Sequence, residues 1–215
     1  MRSSHLTFRI ALLLLVTAGV RAADVEIQVN DQKQVPIAEL AVWLTPLDRP
    51  TPPAPSNLHA TVKQQDEEFT PYISIVRVGT EVAFPNLDDV QHHVYSLSRP
   101  AQFEIPLHGG NQTESVVLDK PGIIPVGCNI HDWMISHIVV VDTPWFGQTD
   151  ADGRLRLTDL PAGRYTLEAW HPRLRKSHSE EITLAAGTPL TVPLELKLRP
   201  DRRLRRAPDA GGHGY

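Results

Sequence analysis

Apolar residues in this chain come in short runs of strict alternation, and long helical stretches are hard to find. Val25, Ile27 and Val29 form one such run, Leu40, Val42 and Leu44 a second, and Tyr165, Leu167 and Ala169 a third. A period of two is the mark of a strand with one buried face. Turn signals stand between the runs: Gly79-Thr80, Pro85-Asn86, Asp119-Lys-Pro-Gly122, Asp150-Ala-Asp152-Gly153 and Leu160-Pro-Ala-Gly163. With 19 Pro and 13 Gly spread along 215 residues, the pattern predicts an all-β protein. Strands are expected at 24–30, 40–44, 58–67, 73–78, 82–84, 92–97, 115–118, 123–126, 135–141, 155–157, 165–169, 179–184 and 191–198. Asp150 and Asp152 read as turn residues and not as a calcium loop, because the long ligand pattern with its closing Glu is missing.

The first residues predict export. Arg2 and Arg9 precede an apolar stretch from Ile10 to Val20, and Val20-Arg21-Ala22 offers a small-residue cleavage site. A spanning helix needs ~20 apolar residues, so residues 1–22 read as a cleaved signal peptide, with no stable membrane span left afterwards and the periplasm as the destination. Cleavage removes three arginines and no acid, which moves the net charge from −4 to −7. Residues 199–215 hold five arginines and two aspartates. They form a basic, Pro- and Gly-containing tail that is expected to be disordered. An acidic body with a short basic tail is not the charge pattern of a nucleic-acid binder.

One cysteine stands in the whole chain, Cys128. Exported proteins pair their cysteines, so a lone one needs a local reason. Cys128-Asn-Ile-His131-Asp-Trp-Met134 places a thiolate, an imidazole and a thioether on one tight loop between two strands, and His92 opens a strand upstream. Two imidazoles and a thiolate in a plane, with a weak axial thioether, suit copper in both oxidation states. Zinc seeks four firm N, S or O ligands, and Met is a poor one. His92 and His93 are adjacent, so alternation sends them to opposite faces and only one can bind. His108, His137, His171 and His178 read as surface or structural residues. Trp133 either packs over the site or joins an apolar docking patch.

These residues carry a resemblance. Phe69-x-Pro71, Val78-Gly79-x-x-Val82-x-Phe84, His92-x-Val94 and Cys128-x-x-His131-x-x-Met134, followed by an Ile/Val strand, stand in the order found in the cupredoxins, the blue copper proteins. The short Cys-to-Met loop resembles that of amicyanin. The wording Phe-Pro-Asn-x-Asp, His-His-Val-Tyr-Ser and Gly-Cys-Asn-Ile-His-Asp-Trp-Met resembles the cupredoxin-type methylamine utilisation proteins. The resemblance implies a Greek-key β-sandwich over residues 57–142 and one type 1 copper ion. It selects His92 over His93, giving the ligand set His92, Cys128, His131 and Met134. It also implies one-electron transfer, with His131 as the exposed electron port and a redox partner the sequence does not name. His93 stands where the family often has an Asn that ties the ligand loops together.

Gly127 and Asn129 flank Cys128, so the adjacent histidine with which copper oxidases and nitrite reductases reach a second copper is missing. No Cys-x-x-Cys-His for haem occurs either. The chain therefore reads as a carrier and not as an enzyme, with a copper-binding or scaffold protein as the alternative. Residues 148–171 resemble a carboxypeptidase-regulatory-like β-sandwich, and 24–48 resembles the opening hairpin of that module. The expected fold is thus all-β: a cupredoxin sandwich inserted into a second, smaller sandwich made of 24–48 and 143–198. Arg49–Ser56 and Asp142–Pro144 would be the connectors.

Overall fold

The computed structural model describes residues 22–201 and 203. Apart from Ala22, the expected signal peptide lies outside these residues, and so does the tail beyond 203. The described residues form seventeen strands and no helix.

The chain opens with β1 (Ala23–Asp31) and β2 (Ala41–Pro46). Three short strands follow: β3 (His59–Thr61), β4 (Lys63–Gln65) and β5 (Glu68–Thr70). Then come β6 (Ile73–Arg77), β7 (Thr80–Pro85), β8 (His92–Leu97), β9 (Gln102–His108), β10 (Thr113–Leu118), β11 (Gly122–Gly127) and β12 (Ile135–Val141). The chain continues with β13 (Phe146–Gln148), β14 (Arg154–Leu160), β15 (Gly163–Trp170), β16 (His178–Leu184) and β17 (Leu190–Leu196).

The first and last strands share sheets. β1 lies between β14, antiparallel, and β17, parallel, so both of its partners follow residue 142. β2 lies between β13 and β15, and β16 extends that sheet. Val25, Ile27 and Val29 of the first sheet share one core with Val42, Leu44, Tyr165 and Leu167 of the second. Leu157, Val192 and Leu194 complete it.

The middle strands enclose a second core. One sheet runs β10-β7-β3 and the other β6-β12-β11-β8-β9. Val82, Phe84 and Leu118 from the first meet Val94, Ile124, Val126 and Ile138 from the second. β12 is buried at every position after Ile135. Its Ile138 and Val140 belong to this core, and its Val139 and Val141 to a third cluster with Ala41 and Ile73. Trp43, Phe146 and Trp170 close that cluster from the other side. A strand covered on both faces reads as a continuous apolar run, which is why 135–141 lacks alternation.

Two expectations need correction. The single strand at 58–67 is β3 and β4, separated at Val62, and the hairpin β4–β5 follows through Asp66-Glu67. β5, β9 and β13 are absent from the expected set: β5 and β13 are three residues long, and Pro106 conceals the pattern of the edge strand β9, edges being where sheets tolerate proline. Of the four histidines read as surface or structural, His108, His137 and His171 are buried and His178 is partly buried; His93 is buried as well.

Candidate metal centre

β11 and β12 pair antiparallel from Gly122–Val140 to Gly127–Ile135, and the loop that joins them carries Cys128, His131 and Met134. The loop is tied to itself: Met134 N–H donates to the His131 carbonyl at 2.9 Å and Cys128 N–H to the Met134 carbonyl at 3.3 Å. Met134 and Cys128 are buried in the same core cluster. Gly127 precedes Cys128 because a Cβ there would press on the Tyr95 ring at 3.2 Å.

His92 enters from β8, fully buried. Its Nδ1 lies 3.2 Å from Nδ1 of His131, which in turn lies 3.9 Å from Cys128 Sγ. The donor atoms of His92, Cys128 and His131 all fall within 4.8 Å of one another. His93 points elsewhere: its Nε2 meets Glu104 of β9 at 2.9 Å, and its ring packs on Tyr95. The loop-tying role expected of an Asn at this position is therefore not taken by the His93 side chain, but its backbone N–H bonds to Cys128.

The electrostatics favour a thiolate. Burial pushes the Cys128 thiol up, but hydrogen bonds from the His92 ring, from the backbone N–H groups of His93 and Ile130 and from the His131 ring outweigh it, bringing the thiol down to about 6. Burial pulls His92 down, and its contacts with Cys128 and Asp88 more than reverse that, so it is raised.

Asp88 has a role that the sequence pattern does not announce. Its carboxylate lies 2.7 Å from His92 Nε2. The same carboxylate accepts the backbone N–H of Asp66 at 2.7 Å and of Glu67 at 3.0 Å. Asp66 and Glu67, at φ of 58° and 55°, form the two-residue turn of the β4–β5 hairpin. Neither is glycine, so the turn is strained, and Asp88 holds it. The Trp133 indole donates to the Glu67 carbonyl at 2.9 Å, which pins the metal loop to the same hairpin. Burial raises Asp88, but the N–H donors and His92 outweigh it and lower it below the ordinary carboxylate range. The one signal in the sequence is a carboxylate four residues before His92, which is within reach only because a turn brings it back.

The donor set fits a transition metal. Metal–nitrogen bonds of ~2.0 Å and metal–sulfur bonds of ~2.3 Å, the lengths zinc makes, put trigonal donors roughly 3.5–3.7 Å apart. The 3.2 and 3.9 Å separations bracket that value. Two imidazoles and a thiolate, with a buried thioether at the end of the same loop, match copper preferences.

Several solved structures are similar to part of the chain. A Cu-containing nitrite reductase from Thermus scotoductus SA-01 is 26% identical, with a TM-score of 0.39, over 46% of this chain and 25% of its own, so this chain spans a quarter of that protein. A purple cupredoxin from Nitrosopumilus maritimus is 20% identical, with a TM-score of 0.35, over 38% of this chain and 99% of its own. A mutant of amicyanin in the reduced Cu(I) form is 21% identical, with a TM-score of 0.36, over 41% and 85%. No family profile and no curated protein matches the chain.

Proposed function

We propose that this chain is an exported mononuclear type 1 copper protein that carries single electrons, with His92, Cys128, His131 and Met134 as ligands. The observation that carries the reading is the convergence of two imidazole Nδ1 atoms and one thiol from two separate strand ends inside a β-sandwich. Copper bound there would supply one-electron redox chemistry. The chain's own part is to hold the donors in place, so that little moves when the charge changes. The antiparallel β11–β12 pair fixes the loop, β8 fixes His92, and Asp88 orients the His92 ring. His131, partly exposed, is the route for the electron. Leu87, Val90 and Ile130, all exposed large apolar residues, lie on the loop that leads into His92 and on the Cys128–Met134 loop and suit contact with a redox partner. The outer sandwich of β1, β2 and β13–β17 is proposed to be the discontinuous, regulatory-like module that hosts the copper domain. The apolar seam around Val139 and Val141 supports a rigid attachment.

A copper-binding scaffold without an electron-transfer role is the second reading, favoured by the size of that outer sandwich. Cyclic voltammetry separates the two: a carrier gives a reversible one-electron wave, and a scaffold does not. Cys128→Ser should abolish the thiolate-to-copper absorption band, whereas His93→Ala should keep it. Loss of the band in His93→Ala with the fold intact would remove His92 from the ligand set.

A further inference from the structure

Beside the metal loop, the described residues enclose a second site. A cavity of about 600 Å³ opens between that loop and the outer sandwich, within the size range of small-molecule pockets. It exists because β12 turns one face to the copper core and the other outward, and the outward face ends at Ile135 and His137, next to Tyr72. The chain that follows β15 and β17 forms the opposite wall.

The lining has a definite chemistry. Trp133 supplies a flat aromatic ring, Tyr72 adds a second ring covered on one side by the Arg203 guanidinium, and Ile135 and Pro172 add apolar surface. Arg173 and Arg199 supply positive charge. Their guanidinium groups donate only to backbone carbonyls: Arg173 to Arg199, and Arg199 to Pro172 and Leu174. Among the described residues neither has a carboxylate partner. Arg203 is different, since it pairs with Asp201 at 2.7 Å and lies 4.1 Å from the Tyr72 ring centroid. The lining holds three arginines against Asp132 and Asp201, and the Glu39 carboxylate also acts on Tyr72 and Arg203, so the cavity is near neutral overall and its unpaired positive ends are those of Arg173 and Arg199. His137 adds none, because burial holds its ring neutral at ordinary pH.

We propose that this cavity binds an aromatic monocarboxylate, with its ring against Tyr72 and Trp133 and its carboxylate on Arg173 and Arg199. Aromatic faces recognise the body of such a ligand. Arginine forks recognise a carboxylate through paired, charge-assisted hydrogen bonds. The occupant would lie one ring away from the metal centre, since the Trp133 ring centroid is 5.3 Å from that of His131. Binding does not depend on copper, so the test can be run without it.

The experiment is calorimetric titration of the metal-free mature chain with benzoate, using benzamide as the uncharged control. Saturable one-to-one binding of benzoate is expected, with benzamide at least tenfold weaker. Arg173→Gln should weaken benzoate at least tenfold and leave benzamide unchanged. Because Arg173 also ties down the Arg199 segment, Tyr72→Leu serves as an independent variant and should weaken both probes. Equal binding of the two probes would overturn the proposal, as would unchanged benzoate affinity in a folded Arg173→Gln chain. Binding that emerges only after residues 204–215 are removed would also overturn it, by making the cavity a seat for the chain's own tail.

Discussion

Two neighbouring histidines, His92 and His93, show how one position decides chemistry. Alternation alone says that they face opposite ways, and the partners each finds supply the rest. His92 is caught between Cys128, His131 and Asp88, whereas His93 reaches out to Glu104. In a copper centre, Asp88 would then set the donor strength of His92. A carboxylate on the far nitrogen makes an imidazole a stronger donor and favours the more highly charged metal state. Asp88→Asn is therefore expected to raise the reduction potential while copper stays bound. A tenfold loss of preference for Cu(II) over Cu(I) corresponds to about 59 mV for one electron. An unchanged potential in a copper-loaded Asp88→Asn protein would reduce Asp88 to a clamp for the Asp66-Glu67 turn.

Elements differ in how plainly the sequence announces them. β1 and β15 each bury one face and alternate cleanly, so they are legible, whereas β2 is read from Val42 and Leu44 although Ala41 and Trp43 on its other face join the third cluster. The β12 run is legible as a strand, but its lack of alternation carries a message only the packing explains, because two cores claim its two faces. β9 is hidden by Pro106, and β13 is three residues long. At the site, the loop from Cys128 to Met134 is readable because three donor types crowd one short segment. Asp88 is not, because its importance comes from a turn that brings residues 66 and 67 to it. Turn chemistry also makes its own prediction. Gly153, at φ of 71°, closes the turn before β14, and a Cβ there would meet the Val29 carbonyl. Asp150 caps that turn by accepting the N–H groups of Asp152 and Arg154. Gly153→Ala should destabilise the chain by at least about 1–2 kcal/mol, the cost of left-handed backbone. Urea unfolding should show a lower midpoint at an unchanged slope.

Across the whole molecule, the apolar cluster between the two cores is expected to bring acid sensitivity. His137 packs against Tyr72 and Trp170, and burial first, with Arg203 second, depresses it to about 4. His171 is likewise depressed to about 4, by burial and then by Arg173. Each is neutral when folded and takes a proton more readily when unfolded. The stability that depends on their neutrality is fully present above about pH 6.5 and is lost as pH falls toward about 4, on the order of 3 kcal/mol per histidine at most. Urea unfolding of the metal-free chain at pH 7.5 and pH 4.5 should show the loss. In His137→Phe the difference between the two should shrink, and an unchanged difference would mean that His137 does not sense acid. For the metal centre, the most direct measurement is titration of the mature, metal-free protein with Cu(II), reading copper content and visible absorption together. A type 1 copper site predicts one copper per chain and an intense thiolate charge-transfer band toward the red that is absent from Cys128→Ser. A folded protein that takes up one copper without that band, or takes up none, would contradict it.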